Sequence, residues 1–121
     1  MSKAILTVDD SRTMRSMLLM ALADAGFRVV QAEDGVHGLE VLQNELPDVI
    51  ITDINMPRLD GFGFIERVRE DHRLRVIPIL VLTTEASSEK KERARRAGAT
   101  GWIVKPFDPQ KLVDVIHRVA A

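Results

Sequence analysis

Five short apolar segments recur along this chain of 121 residues, and a segment with helical periodicity follows each of them. The apolar segments are rich in β-branched residues, and the first, third and fourth do not alternate polar with apolar side chains. Uninterrupted apolar runs of this length are typical of strands that are covered on both faces, as in a parallel sheet. The predicted strands are residues 4–8, 29–32, 49–52, 77–82 and 102–104.

The segments between the predicted strands carry apolar residues at helical spacing. In the first segment, Met14, Met17 and Leu18 begin a stripe that we expect to lie in the core. A second stripe ends with Leu46, and the others lie near residues 64–68, 87–97 and 112–119. Residues that typically start or stop helices flank these segments: Gly26, Pro47 and Gly98 as stops, and Asp108 with Pro109 as a start. Five strand-plus-helix units predict a doubly wound α/β domain with five flanking helices.

The composition indicates a globular protein that binds neither nucleic acid nor a membrane. With 17 Lys plus Arg and 18 Asp plus Glu, the formal net charge is −1, whereas phosphate neutralisation needs a cationic excess. The longest stretch without a charged residue, residues 76–84, is too short to span a bilayer. The absence of cysteine excludes disulfides, thiolate metal sites and thiol nucleophiles. We expect a single cytoplasmic domain over residues 1–121, without an output domain.

Polar side chains follow four of the predicted strands. Asp9 and Asp10 follow the first strand, Asp53 the third, Thr83 the fourth and Lys105 the fifth. The carboxyl ends of parallel strands meet at one edge of the sheet, where ligands of open α/β sheets bind, so these side chains are expected to share one rim. Taken singly, each has an ordinary structural explanation, such as an N-cap for Asp10 or a solvated loop lysine for Lys105. Together they favour a functional site.

Three neighbouring carboxylates require a compensating cation. Their mutual repulsion keeps some of them protonated unless a cation offsets the charge. Hard oxygen ligands without His or Cys favour Mg²⁺, Mn²⁺ or Ca²⁺ over Zn²⁺, and Mg²⁺ prefers one or two carboxylates with waters and phosphate oxygens. A lysine and a hydroxyl beside them suit a phosphoryl group, and an aspartate in such a site can be a nucleophile that forms an aspartyl phosphate.

Four short motifs give the chain a resemblance to a known family. They are VDDS near the start, TDINMPRLDGF in the middle, LTTE, and VKPF near the end. With these motifs in this order and spacing, the chain resembles the receiver domains of two-component response regulators, in particular the stand-alone chemotaxis regulators of the CheY type. The resemblance covers essentially the whole chain and implies a flavodoxin-like, five-stranded parallel sheet of order 2-1-3-4-5.

The resemblance also implies roles for the rim residues. Asp53 is expected to be the phosphoryl acceptor, and Thr83 and Lys105 are expected to bind phosphoryl oxygens. The Lys105–Pro106 bond is expected to be cis. The expected ligands of Mg²⁺, with Mn²⁺ as an alternative, are Asp9, Asp10, Asp53 and the backbone carbonyl of Asn55.

A family member of this kind is a regulatory switch and not an enzyme. It is expected to accept a phosphoryl group from a chemotaxis-type histidine kinase. It would then bind, as a monomer, a flagellar motor switch protein or another protein target through helix 4, strand 5 and helix 5. Thr83 and Trp102 hold the switch positions, where tryptophan replaces the usual Tyr or Phe, and Asn55 and Glu85 hold positions that tune phosphoryl decay. A phosphorelay intermediate or phosphate sink is the alternative role.

Two other classes of protein fit the same architecture less well. An aspartyl phosphatase or phosphotransferase would need a second acid two residues after the nucleophile, where this chain has Asn55. A flavodoxin-like cofactor binder would need a phosphate loop after the first strand, where Asp9 and Asp10 would repel a phosphate. The charged run at residues 89–96 is either a solvated helix face or part of the partner-docking face.

Overall fold

The computed structural model describes residues 2–120, which form one sheet with helices on both of its faces. Every helix among these residues is too short or too polar to cross a bilayer. A short 3-10 turn, His72–Leu74, precedes the fourth strand. In chain order the strands and α-helices are β1 (Ala4–Val8), α1 (Arg12–Asp24), β2 (Arg28–Ala32), α2 (Gly35–Val41), β3 (Val49–Thr52), α3 (Gly61–Glu70), β4 (Ile79–Thr83), α4 (Ser88–Ala97), β5 (Gly101–Val104) and α5 (Pro109–Val119).

The five strands are parallel and lie in the order β2-β1-β3-β4-β5. Ile5 of β1 pairs with Val29 of β2 on one side and with Val49 of β3 on the other. The predicted order of the sheet is therefore confirmed. The order places the carboxyl ends of β1 and β3 side by side at the centre of the sheet, although about forty residues separate them along the chain.

Two hydrophobic clusters, one on each face of the sheet, hold the helices in place. One cluster joins α1 and α5 through residues such as Leu18 and Ile116. The other cluster joins α2, α3 and α4, with Phe64 of α3 fully buried in it. Successive residues of β3 serve the two sides, since Ile50 belongs to one cluster and Ile51 to the other. The uninterrupted apolar runs in the sequence thus reflect a sheet that is covered on both faces.

Helix α2 and strand β4 differ from their expected bounds. Helix α2 ends at Val41, and Leu46 is 61% exposed instead of lying on the helix. The following Pro47 disfavours helical backbone at Leu46, which explains why the helix does not continue up to the proline. Strand β4 begins at Ile79 because the preceding Pro78 has no N–H to donate to the ladder.

Helix α1 begins after Ser11, and Asp10 is not its cap. The side-chain oxygen of Ser11 accepts a hydrogen bond from the Met14 N–H at 3.1 Å. The expectation that Met17 lies in the core is wrong, because its side chain is 46% exposed while the helix buries Leu18 and Leu22 instead. Asp10 therefore lies exposed beside Asp9 without a capping role.

An ion pair joins the loop before α2 to the loop before α3. The guanidinium of Arg58 donates from Nε and Nη2 to the two carboxylate oxygens of Asp34, at 2.7 and 2.9 Å. Asp34 is buried and also caps α2 by accepting a hydrogen bond from the His37 N–H. Arg58 has a φ of 67°, a conformation unfavourable for a residue other than glycine, and the bidentate ion pair offsets its cost.

At Gly61, the loop before α3 approaches the backbone that directly follows β3. The Gly61 N–H donates to the carbonyl of Ile54 at 2.8 Å. A Cβ atom at this position would collide with the backbone oxygen of Asp53, so the close approach requires glycine. The loop that follows Asp53 is thus fixed at two points, by Arg58 and by Gly61.

Replacing Asp34 with Asn is expected to lower the free energy of unfolding at neutral pH. The hydrogen bonds from Arg58 lower the pKa of Asp34 below its ordinary value of 3.8. A carboxyl whose pKa falls on folding contributes stability above its unfolded pKa, and this contribution is lost as the pH falls through the folded pKa. Urea denaturation across a series of pH values measures the difference between wild type and Asp34→Asn.

The difference should be constant above roughly pH 5 and should shrink toward acid pH. Glu66→Gln, which removes an exposed carboxylate from the middle of α3, is the matched control and should change stability little. A difference that persists unchanged at acid pH would show that the charge of Asp34 is not the source of the stability.

Candidate functional site

The carboxyl ends of β1, β3 and β5 bring three charged side chains together at one edge of the sheet. Asp9 follows β1, Asp53 follows β3 and Lys105 follows β5. The hydrogen bonds of the sheet continue into this edge, since the Asp53 N–H donates to Val8 at 3.0 Å and the Lys105 N–H donates to Thr83 at 2.8 Å. The sheet therefore determines where each of these side chains leaves the backbone.

The ammonium of Lys105 lies between two carboxylates. Its Nζ is 2.9 Å from Oδ2 of Asp9 and 2.8 Å from Oδ2 of Asp53. Asp10 completes the group, because one carboxylate oxygen from each of the three aspartates lies within 4.8 Å of the others. Asp9 is buried, Asp10 is exposed, and Asp53 keeps 12% of its side chain exposed. The site thus holds three carboxylates against one ammonium and is open to solvent beside Asp53.

For both Asp9 and Lys105, burial and hydrogen bonding shift the pKa in opposite directions. Burial raises the pKa of Asp9 above its ordinary value, although hydrogen bonds from the Ser11 N–H and from Lys105 favour the charged form. Burial alone would lower the pKa of Lys105, but the hydrogen bonds to Asp53 and Asp9 outweigh it and raise that pKa. Lys105 therefore stays cationic, and the negative charge around it exceeds what one ammonium can offset.

These donors fit a hard divalent cation. The three aspartates offer only oxygen atoms, and their spacing allows one ion to approach more than one carboxylate. A cation would offset the surplus negative charge, which is the condition that keeps clustered carboxylates ionised. Asn55, whose backbone carbonyl is an expected ligand, lies two residues beyond Asp53 in the loop that Arg58 and Gly61 fix. The residues present therefore suit Mg²⁺ or Mn²⁺.

Contacts that the sequence did not indicate fix the backbone of Asp9. Arg15 of α1 donates from Nη1 to the Asp9 carbonyl at 2.7 Å. Gln31 of β2 in turn donates from Nε2 to Oγ1 of Thr7 and to the carbonyl of Arg15, at 2.9 and 2.8 Å. Neither Arg15 nor Gln31 follows a strand, so both lie outside the pattern of polar residues at strand ends.

Glu85, in the loop between β4 and α4, contacts three of the predicted residues and a lysine of α4. Its N–H donates to Oγ1 of Thr83 at 3.3 Å, and its carbonyl accepts from Nε1 of Trp102 at 3.2 Å. Its Oε1 accepts from Nδ2 of Asn55 at 3.2 Å and lies 3.0 Å from Nζ of Lys90. Hydrogen bonds from Lys90 and Asn55 lower the pKa of Glu85. Glu85 thereby links the loop after β4 to the loop after β3, to β5 and to α4.

Glu85 connects the two expected switch residues, since it is hydrogen-bonded to both Thr83 and Trp102. Thr83 is fully buried at the end of β4, and Trp102 is partly buried against the cluster that contains α3 and α4. The sequence placed Lys90 only within a charged run. Its partner Glu85 precedes α4, and the spacing of three or four residues that predicts ion pairs applies only within a helix.

The chain is similar to known proteins over nearly its whole length. A family model described as response regulator receiver domain matches residues 5–117. The chain is 41% identical over 117 residues to the chemotaxis protein CheY1 of Helicobacter pylori, and the alignment covers 95% of this chain and 94% of that protein.

Two solved structures share the fold. The chemotaxis protein CheY4 of Vibrio cholerae superposes with a TM-score of 0.94 at 45% identity, over 98% of this chain and 99% of that chain. The receiver domain of a sensor histidine kinase from Pseudomonas aeruginosa gives a TM-score of 0.92 at 27% identity, over 99% of this chain and 98% of that chain. The latter structure has a magnesium ion coordinated in its active-site cleft.

Replacing Asp10 with Asn is expected to raise the free energy of unfolding of the metal-free protein. The substitution removes one of three negative charges held a few ångströms apart, and Asp10 is the one that Lys105 does not contact. A cation that binds the folded state stabilises it, so Asp10→Asn should gain less stability from added Mg²⁺ than wild type does.

Urea denaturation in EDTA and in Mg²⁺ measures both effects. Glu66→Gln, which changes an exposed residue of α3 outside the acidic cluster, should show the wild-type response to Mg²⁺. If Asp10→Asn were less stable in EDTA and as responsive to Mg²⁺ as wild type, Asp10 would belong to neither the repulsive cluster nor the metal site.

Proposed function

The chain belongs to the response regulator receiver domain family, and from this premise we propose that it is a phosphorylation-activated switch whose acceptor is Asp53. Members of this family are signalling proteins and not enzymes in the usual sense. The observation that carries the assignment is the position of the Asp53 carboxylate. It lies 2.8 Å from the Lys105 ammonium, between two further carboxylates and the solvent.

The transfer step uses Asp53 as the nucleophile. A carboxylate oxygen of Asp53 attacks the phosphorus of a phosphohistidine or of a small donor such as acetyl phosphate. The new O–P bond forms as the bond from phosphorus to the donor breaks, and the donor leaves with that electron pair. When bound by Asp9, Asp10, Asp53 and the Asn55 carbonyl, Mg²⁺ supplies positive charge that offsets the carboxylates and the phosphoryl oxygens.

Two residues of the rim can hold the transferred group. Lys105 already contacts Asp53, so its ammonium is placed to pair with a phosphoryl oxygen. The hydroxyl of Thr83 accepts a hydrogen bond from the Glu85 N–H and keeps its own proton to donate. Phosphorylation replaces one negative charge by about −1.5 to −2, which strengthens the attraction to both groups.

Glu85 is placed to transmit the effect of phosphorylation from Thr83 to Trp102. A shift of Thr83 toward the phosphoryl group would act on the Glu85 N–H, and the Glu85 carbonyl is bonded to the indole of Trp102. Trp102 lines a groove of about 270 Å³ between α4 and β5, together with Lys91 and Arg95. This coupling supports a two-state change of the α4-β5-α5 surface on phosphorylation.

We further propose the chemotaxis pathway as the setting. The donor is a chemotaxis-type histidine kinase, and the target is a flagellar motor switch protein or another protein that docks on α4, β5 and α5. The matches to chemotaxis proteins support this role over that of a relay intermediate or phosphate sink. In this proposal residues 1–121 act as one cytoplasmic, monomeric receiver domain that signals through its own surface.

Replacing Asp53 with Ala is expected to abolish phosphorylation. Wild type incubated with Mg²⁺ and acetyl phosphate should incorporate one acid-labile phosphoryl group per chain, since the site offers one accessible acceptor beside Lys105. Intact-protein mass spectrometry at neutral and acid pH measures the incorporation. Asp24→Ala, which removes an exposed aspartate at the end of α1, should be labelled like wild type. Stoichiometric labelling of Asp53→Ala would disprove the assignment.

The fluorescence of Trp102 is expected to change on phosphorylation. It is the only tryptophan, and its indole is bonded to the loop that Thr83 contacts. Addition of beryllofluoride or acetyl phosphate in the presence of Mg²⁺ should alter the emission of wild type and leave Asp53→Ala unchanged. If wild type is phosphorylated while its emission stays constant, Trp102 does not take part in the switch, although Asp53 remains the acceptor.

A further inference from the structure

We propose that Lys90 is a positioning residue that prolongs the life of the phosphoryl group by holding Glu85 and Asn55 together beside the acceptor. The inference rests on the proposed function, in which Asp53 is phosphorylated and Glu85 and Asn55 tune the decay. It adds a residue of helix α4 to that machinery. No role for Lys90 follows from the acceptor, the metal ligands or the switch pair.

Lys90, Glu85 and Asn55 form a bridge, and the proposal rests on its geometry. The Oε1 atom of Glu85 forms an ion pair with Nζ of Lys90 at 3.0 Å and accepts a hydrogen bond from Nδ2 of Asn55 at 3.2 Å. Asn55 lies in the loop after Asp53, and Glu85 lies in the loop after Thr83. The bridge therefore connects the two loops that flank the acceptor and anchors both of them to α4.

Lys90 differs in this respect from the other paired cations of α4. The guanidinium of Arg93 stacks on the ring of Phe62, 4.0 Å from its centroid. Arg95 pairs with Glu92, one turn earlier on the same helix. Among the ion pairs found in residues 2–120, Lys90 makes the one that leads from α4 toward the phosphorylation site.

The bridge affects the hydrolysis of the aspartyl phosphate through the approach of water. In this step a water oxygen attacks phosphorus, the bond from phosphorus to the Asp53 oxygen breaks, and the carboxylate, inorganic phosphate and a proton are released. Because only 12% of the Asp53 side chain is exposed, we expect the water to enter between the loops that flank it. A bridge that keeps Asn55 and Glu85 in contact narrows the path of the water, and loss of Lys90 removes the ion pair of this bridge.

The test is the rate at which purified phosphorylated protein loses its label in Mg²⁺ after the small donor is removed. Lys90→Gln should lose the phosphoryl group about two- to five-fold faster than wild type, a range set by the strength of exposed ion pairs. Lys90→Arg keeps the charge and should decay at the wild-type rate. Lys3→Gln removes an exposed lysine at the opposite end of the sheet and should also match wild type.

Glu85→Gln and the double variant identify the path of the effect. If Lys90 acts through Glu85, Lys90→Gln should change nothing further once Glu85 is Gln, so the double variant should decay like Glu85→Gln alone. High salt should accelerate the decay of wild type toward that of Lys90→Gln, because the ion pair is exposed to solvent and screened. Lys90 is 44% exposed, so the thermal unfolding midpoint should not change.

Two outcomes separate the inference from its premise. If Glu85→Gln alters the decay but Lys90→Gln decays like wild type, Lys90 has no positioning role and the proposed function stands. If neither substitution alters the decay of phosphorylated protein, the tuning role of Glu85 fails as well. Independent changes from the two substitutions, adding in the double variant, would likewise overturn the bridge.

Discussion

The ammonium of Lys105 between Asp9 and Asp53 is the interaction on which the rest of the structure depends. Two carboxylates and a third nearby repel one another, and a single lysine cannot cancel them. The chain brings these groups together from three strands that are far apart in sequence. The packing of apolar strands and helices must therefore offset the electrostatic cost of concentrating charge at one edge. That surplus of negative charge is also what makes the edge suitable for a divalent cation.

The loops after β3 and β4 also contribute to the geometry of the site. The sheet determines the starting points of Asp9, Asp53 and Lys105, but the loop after β3 has no ladder to hold it. It is fixed by the Arg58–Asp34 ion pair and by the approach of Gly61 to the backbone of Asp53. The loop after β4 is fixed by Glu85, through bonds to neighbours on three other elements. The strands thus position the charged residues of the rim, and side-chain contacts fix the loops around them.

The strands and the rim could be predicted from local patterns in the sequence, whereas the order of the strands came from the resemblance to receiver domains. Uninterrupted apolar runs mark the buried strands β1 and β3, which Asp9 and Asp53 directly follow, and Lys105 follows the partly buried strand β5. The roles of these residues came from the resemblance to receiver domains and not from spacing. Lys90, Arg15 and the Asp34–Arg58 pair could not be predicted, since each depends on how separate elements pack against one another. The predicted end of α2 lies too late in the chain. A proline such as Pro47 shows where a helix cannot continue, but the helix can end several residues earlier.

Helix α4 is anchored less firmly than its neighbour α3. It buries only Ala94, whereas α3 buries five residues that include Phe62, Phe64 and Ile65. Segments with few buried apolar contacts open at a smaller free-energy cost than the core, and backbone amides in them exchange with solvent sooner. A helix of this kind can change its position while the sheet and the opposite face stay intact. The few buried side chains of α4 therefore leave this helix freer to move than α3.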